Sequence, residues 1–424
     1  MTDPPGSEPA SAWLRDYALL ALRLQRCATA RYGDDGLLDY FGPPEYARQV
    51  DQEPEVQPNQ LVCDAQALLD AVAGQGFEPA RAVYASKLAG ALETVACRLA
   101  GETLSVREQA RRCFDLQVEY IPEQTFAQAH ALYDASLPGR GDVRRRLQAW
   151  REHHTLSPER RAALPALMER ALNEARRRTR ALRQRQEGDE VAVEDLEGQP
   201  FRALAVYQGG FRSKVLINKT LPFNMAELLY VVCHEAYPGH LAELCLKEAA
   251  GHRAHEVGFL LTPPYVISEG LALWAWRLAF PGDEAAQWLA SHIYPEVGIG
   301  PDGSDLSGVL RATDQLWGVR GNAALLLDDG HPEQDVTQYL IQHALLDEES
   351  AKRTVAGLRL PLREAYIFTY QYGLALLEPW LGGAGTRADL SRLWTQPLLP
   401  STLAGARRDG EPRTLPKPVE GEGG

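Results

Sequence analysis

Apolar residues recur at intervals of three and four through most of the chain, the spacing that gives a helix one apolar face. "SAWLRDYALLALRLQRCATA" opens on a serine suited to cap a helix. "DAQALLDAVAG", "PARAVYASKLAGALETVACRLAG" and "SVREQARRCFDLQVEY" repeat the period and mostly close on glycine. Short Pro/Gly segments, "YFGPPEYA", "SLPGRGDV" and "HHTLSPER", separate them. The acidic stretch "EGDEVAVEDLEGQP", 187–200, reads as unstructured and is the best candidate boundary. After it, "FRALAVYQ" and "RSKVLIN" flank Gly209-Gly210, a pair suited to the positive dihedrals of a tight hairpin. Helical periodicity resumes near Met225 and continues to "LLEPWLGG". The pattern predicts a mainly α protein with one small sheet. Its expected parts are a helical region over 1–190, a region over 191–405 continuous with it, and a disordered tail over 406–424 rich in Pro, Gly and charge.

With 424 residues, 45% hydrophobic and 24% charged, the chain can bury a sizeable core. Its net charge of −13 argues against a general nucleic-acid or anionic-membrane binder. The local exception, "EARRRTRALRQRQE" at 174–187, has no interleaved aromatics and reads as an arginine-rich helix face paired with acids. No apolar run reaches the roughly 18 residues of a membrane span, and the first residues lack a secretory pattern. Six cysteines without a Cys-x-x-Cys pair read as reduced thiols, so the expected location is the cytoplasm.

"VVCHEAYPGH", 231–240, changes the picture. The zinc-hydrolase signature His-Glu-x-x-His sets its two ligands four apart on one helical face. Here His234 and His240 stand six apart. On an unbroken helix they would point roughly 120° apart and lie about 9 Å apart along the axis. No single cation could bind both, since zinc–nitrogen bonds are only about 2 Å long. Pro238 supplies the break, because it has no N–H for the His234 carbonyl, and Gly239 tolerates a strained dihedral. The two histidines can then face each other. Glu235 is placed to act on a water as a general base without ligating the metal.

A third ligand is expected at Glu269, a carboxylate in the apolar segment "PPYVISEGLALWAWRLAF" that is costly to bury unpaired. Its alternative partner is Arg277. His252 and His255, like His153 and His154, read as surface or cap residues, and His331 sits at a helix start.

These residues resemble the bacterial family known as domain of unknown function 885, whose hallmark is His-Glu-Gly-x-Pro-Gly-His-His. "GLLDYFGPPEYA", "ASLPGRGDVRRRLQAW" and "AYIFTYQYG" are similar to its N-terminal, central and C-terminal segments. The resemblance implies a multi-helix fold like that of the thermostable zinc carboxypeptidases, with a small hairpin or sheet lining a cleft. It implies the gluzincin arrangement: His234, His240 and Glu269 on Zn2+, with Glu235 as base. It also implies that "GGFRSKVLIN", led by Gly209 and Gly210, edges the cleft and pairs with an extended substrate, and that Tyr370 donates to the oxyanion. Ala236, Leu241 and Gln371 depart from the family pattern, and Arg320 is the substitute offered where the family carries a further histidine.

The expected function is a zinc-dependent metallopeptidase acting on a peptide or small amide, with Tyr370, Tyr366 or Arg320 as oxyanion donor. The rivals are a catalytically inactive metal- or peptide-binding protein on the same fold and a non-haem iron enzyme.

Overall fold

The computed structural model describes residues 8–182, 188–196, 203–383 and 386–406. The segments read as helical are helices, with altered ends. The first begins at Glu8, ahead of Ser11. Pro79–Leu99 matches its sequence pattern, with a proline in the first turn where the missing N–H costs nothing. Val106–Phe114 is capped by Ser105, whose hydroxyl accepts from the Glu108 N–H, and stops at Asp115 in the left-handed region (φ 57°). The segment "LQVEY" beyond it is therefore extended rather than helical.

Among the described residues there are two sheets, not one. Strand β1 (Leu38–Tyr40) pairs antiparallel with β5 (Val257–Phe259). Between them in sequence come β2 (Glu190–Asp195), β3 (Ala203–Tyr207) and β4 (Arg212–Ile217), in spatial order β2-β4-β3. The β3–β4 hairpin turns as expected at Gly209 (φ 75°) and Gly210 (φ 61°). The acidic stretch expected to be unstructured instead supplies β2, which lies parallel to β4. One apolar cluster, from Trp13 to Leu399, takes in residues from both sides of it. The tail expected to be disordered lies outside the described residues from 407 onward.

Two contacts set the site. Helix Pro264–Ala279 meets helix Phe368–Leu381 backbone to backbone, because Gly270 faces Gly373. A Cβ at Gly270 would lie 2.5 Å from the Gly373 carbonyl carbon and one at Gly373 would lie 2.2 Å from the Val266 oxygen, so neither position admits a side chain. Helix Leu164–Leu182 packs behind helix Leu228–Glu235. Its arginines are paired with acids: Arg176 with Asp189, and Arg177 and Arg178 with Glu174. Residues 183–187 of that arginine-rich stretch are outside the described residues.

Candidate metal centre

Helix Leu228–Glu235 ends one residue past His234, and helix His240–Ala250 begins at the second histidine. The four residues between them reverse the chain, and the Tyr237–Pro238 peptide is cis. Gly239 is needed here for space: a Cβ would lie 2.0 Å from the His234 oxygen and 2.4 Å from that of Cys233. The Gly239 N–H donates to the Cys233 carbonyl at 2.9 Å, closing the turn. Tyr237, fully buried, anchors the turn from behind by donating to Asp189, which Arg176 holds in turn.

The break brings the imidazoles face to edge, with ring centroids 4.9 Å apart. Glu269 arrives from helix Pro264–Ala279, and its Oε2 lies 3.4 Å from His234 Nε2 and 3.7 Å from His240 Nε2. Zinc bonds of about 2.1 Å at tetrahedral angles set neighbouring donors about 3.4 Å apart. The same Oε2 is buried and makes no hydrogen bond, and the three donors converge on a point that could hold a cation. The residues fit a zinc-sized ion. Arg277, the alternative partner, instead pairs with the fully buried Asp314 at 2.6 Å. Burial alone would raise the Glu269 carboxyl, but His240, His234 and the Tyr366 hydroxyl hold it below the usual range. Burial alone would depress His234, and Glu269, with Glu235 and Asp314 beyond, holds it above the ordinary value.

Outer contacts orient two of the three candidate ligands. His240 Nδ1 lies 3.1 Å from Ser268 Oγ, which donates to Glu243 at 2.5 Å, and Glu243 pairs with Lys247 at 2.6 Å. Tyr366 donates to Glu269 Oε1 at 2.5 Å. The hydroxyl expected as a possible oxyanion donor is thus engaged with the Glu269 carboxylate. His234 Nδ1 is buried without a hydrogen-bond partner, so helix packing alone sets that ring.

A cavity of about 510 Å³ opens over the three donors. Glu235 lines it and accepts from the Ala205 N–H at 3.0 Å. Tyr370 also lines it, and its hydroxyl makes no hydrogen bond among the described residues. Burial, with Glu269 and Glu235 nearby, keeps that phenol well above its ordinary value and hence protonated. The strand at the cleft is β3, not β4, which lies in the middle of its sheet. Gly209 and Gly210 do not line the cavity; they form the hairpin turn, where the Gly210 N–H donates to Glu248 at 3.1 Å. Arg320 does not line it either. Its guanidinium lies over Trp317 at 4.2 Å, and that ring stacks on Tyr370. Leu241 is fully buried in the core, and Gln371 faces Gly318 on the helix Trp317–Asp328.

Two of the remaining histidines differ from their surface reading. His255 is 7% exposed and lines the cavity with Nε2 unpartnered. His154 is buried, with Nδ1 bonded to the Trp150 carbonyl and Nε2 3.9 Å from Asp302. His153, His154 and Asp302 thus make a second group of two histidines and a carboxylate. It is the poorer fit to a cation, being wider, more open at the exposed His153, and bonded at His153 Nε2 to the Gly300 carbonyl.

No family model matches the chain, and no curated protein matches it in sequence. Among solved structures it is similar to a "putative lipoprotein" from Colwellia psychrerythraea, with 17% identity over 82% of this chain and a TM-score of 0.47. The chain spans 64% of that protein's length. It is also similar to a "putative lipoprotein of unknown function" from Shewanella oneidensis, with 13% identity, 84% of this chain and 75% of that one covered, and a TM-score of 0.50. At such identity the second likeness speaks to the fold alone, and the first carries no argument. Among the described residues no helix is long and apolar enough to cross a membrane.

Proposed function

We propose that this chain is a zinc-dependent hydrolase of gluzincin type that cleaves peptide or other amide bonds. The observation that carries the reading is the buried, unbonded Oε2 of Glu269 facing Nε2 of both His234 and His240, with Glu235 beside them in an open cavity. His234, His240 and Glu269 would hold the ion. Bound there, zinc would polarise a substrate carbonyl and lower the pKa of a water.

The chain's own groups supply the rest. Glu235 has one oxygen held by the Ala205 N–H, which leaves Oε1 to take a proton from water and pass it to the leaving amine. Tyr370, protonated and unbonded, would donate to the developing oxyanion. The antiparallel ladder alternates, and Gln208 donates to Arg212 across it. The backbone groups of Ala203 and Ala205 therefore point away from β4, and the Ala205 carbonyl is available to an extended peptide. Six free thiols suit a cytoplasmic setting.

Glu235→Gln tests the reading most sharply. It should keep about one zinc per chain, a single high-affinity site, and lose on the order of 10² to 10⁴ in rate on a substrate found by peptide-library digestion. His234→Ala, His240→Ala and Glu269→Ala should each lose most of the metal. Stoichiometric zinc surviving in Glu269→Ala would remove that residue from the centre, and full activity in Glu235→Gln would end the proposed mechanism.

A further inference from the structure

The charged groups that line the cavity are accounted for, except one. Lys247 is paired with Glu243, and Arg363 makes two 2.6 Å bonds to Asp34. Glu269 faces the histidines and Glu235 accepts from the Ala205 N–H. Asp39, like Glu235, has no cationic side chain in ion-pair range among the described residues, and it also lacks a backbone N–H partner, although it stands in the cavity wall within electrostatic reach of His240. It is exposed to solvent, and its one side-chain partner among the described residues is the Tyr265 hydroxyl, so its charge is open to a ligand.

Its surroundings are rich in acceptors. The Tyr265 hydroxyl lies 3.2 Å from Asp39 Oδ2 and 3.2 Å from the Gly258 carbonyl. One phenol has one proton, so at any moment one of these two oxygens is left without it. Gly258, opposite Asp39 in the β1–β5 pairing, keeps the place open: a Cβ there would lie 2.9 Å from the Tyr265 oxygen and 3.3 Å from the Asp39 Cβ. A carboxylate, a carbonyl and a phenol oxygen on one patch match the three N–H donors of a primary ammonium.

Resting on the hydrolase reading above, we infer that the cavity selects substrates carrying a primary ammonium group, held by Asp39, the Gly258 carbonyl and Tyr265 beside the metal centre. Either a substrate's amino terminus or a lysine-type side chain would supply it. A guanidinium or an uncharged amide would match the patch less well.

The test is calorimetric titration of the full, zinc-loaded chain with three metal-directed probes at mildly acidic pH, where both kinds of amine are protonated. L-leucine hydroxamate carries only the α-ammonium, Nα-acetyl-L-lysine hydroxamate only the side-chain ammonium, and N-acetyl-L-leucine hydroxamate neither. One of the charged probes should bind about tenfold or more tightly than the neutral one, the worth of a charge-assisted hydrogen bond. Which one does identifies the source of the ammonium. Asp39→Asn should remove the advantage and leave the neutral probe's affinity unchanged, which also checks that the variant is folded. Equal affinity for all three probes, or an advantage that survives in Asp39→Asn, overturns the inference and leaves the hydrolase reading standing. Failure of all three to bind a chain that holds its zinc overturns that reading, and the inference with it.

Discussion

Replacing Tyr366 with phenylalanine separates support of the metal centre from contact with substrate. Its hydroxyl donates to Glu269 Oε1 at 2.5 Å, inside a site where Glu269 is 4% exposed. No water replaces a donor easily at that depth, so the loss should approach the value of a hydrogen bond to a charged group, about 1.5–3 kcal/mol. The ring itself stays packed, edge to face with Phe114 at 6.0 Å and with Tyr370 at 5.8 Å, so little of the change should come from a cavity. Part of the loss falls on the metal-free fold and part on the metal complex. Only the share that is stronger with the ion bound weakens the affinity. An outer-contact loss of this kind typically costs about 10- to 100-fold in metal affinity. Competition against a chromophoric chelator would read the affinity, and thermal unfolding with and without zinc would apportion the rest. If turnover falls while affinity and both melting temperatures match wild type, the hydroxyl serves the substrate and the support argument is wrong.

Two further predictions follow from packing and burial. Gly270→Ala puts a methyl 2.5 Å from the Gly373 carbonyl. The helices must then part by about 1 Å, an overpacking cost of about 1–3 kcal/mol. Melting temperature and zinc affinity should fall together, because Glu269 is the preceding residue; an unchanged melt would mean the backbones do not touch. His255 is held well below its ordinary value by burial, with Lys247 and His252 adding to the effect. Between its unfolded value near 6.5 and its lower folded value, the unfolded chain binds the extra proton, so stability drops as pH falls through that window. His255→Gln should flatten this acid slope in chelator by up to about 1.4 kcal/mol per pH unit, and parallel slopes for the two proteins would show that His255 protonates freely in the fold.

What the sequence made legible was whatever depended on neighbours along the chain. Helical periodicity and the Gly-Gly hairpin are local and are found where the pattern set them, although the helix expected to open on Ser11 begins at Glu8. What escaped it was pairing across distance. "LDY" and "VGF" are three residues long, too short to carry an alternation, and become β1 and β5 only by pairing with each other. "EVAVED" does alternate, but its acids face outward on a parallel strand whose partner lies beyond an intervening strand, so acidity masked the period. The hairpin was visible, yet which of its strands would be the free edge was not, because that depended on where β2 inserted.

The same division runs through the site. His234, Glu235 and His240 could be read because their spacing is inconsistent with one straight helix and the correcting residues lie between them. For Gly239 the structure adds a reason beyond a tolerant dihedral: the carbonyls of Cys233 and His234 lie where a side chain would begin. The residues that orient the ligands come from three different elements. Ser268, next to Glu269, supports His240 rather than its own neighbour, while Glu269 is held by Tyr366 from 97 positions away. Glu243, one turn after His240, gave no local signal, since Lys247 four residues on is an ordinary helical partner for it. His234 has no such support, and its ring depends on the helix around it. Disturbing the packing of helix Leu228–Glu235 against helix Leu164–Leu182 should therefore move His234 first. Because one oxygen of Glu269 faces both imidazoles, a shift of either histidine should weaken the hold of all three side chains on a cation there.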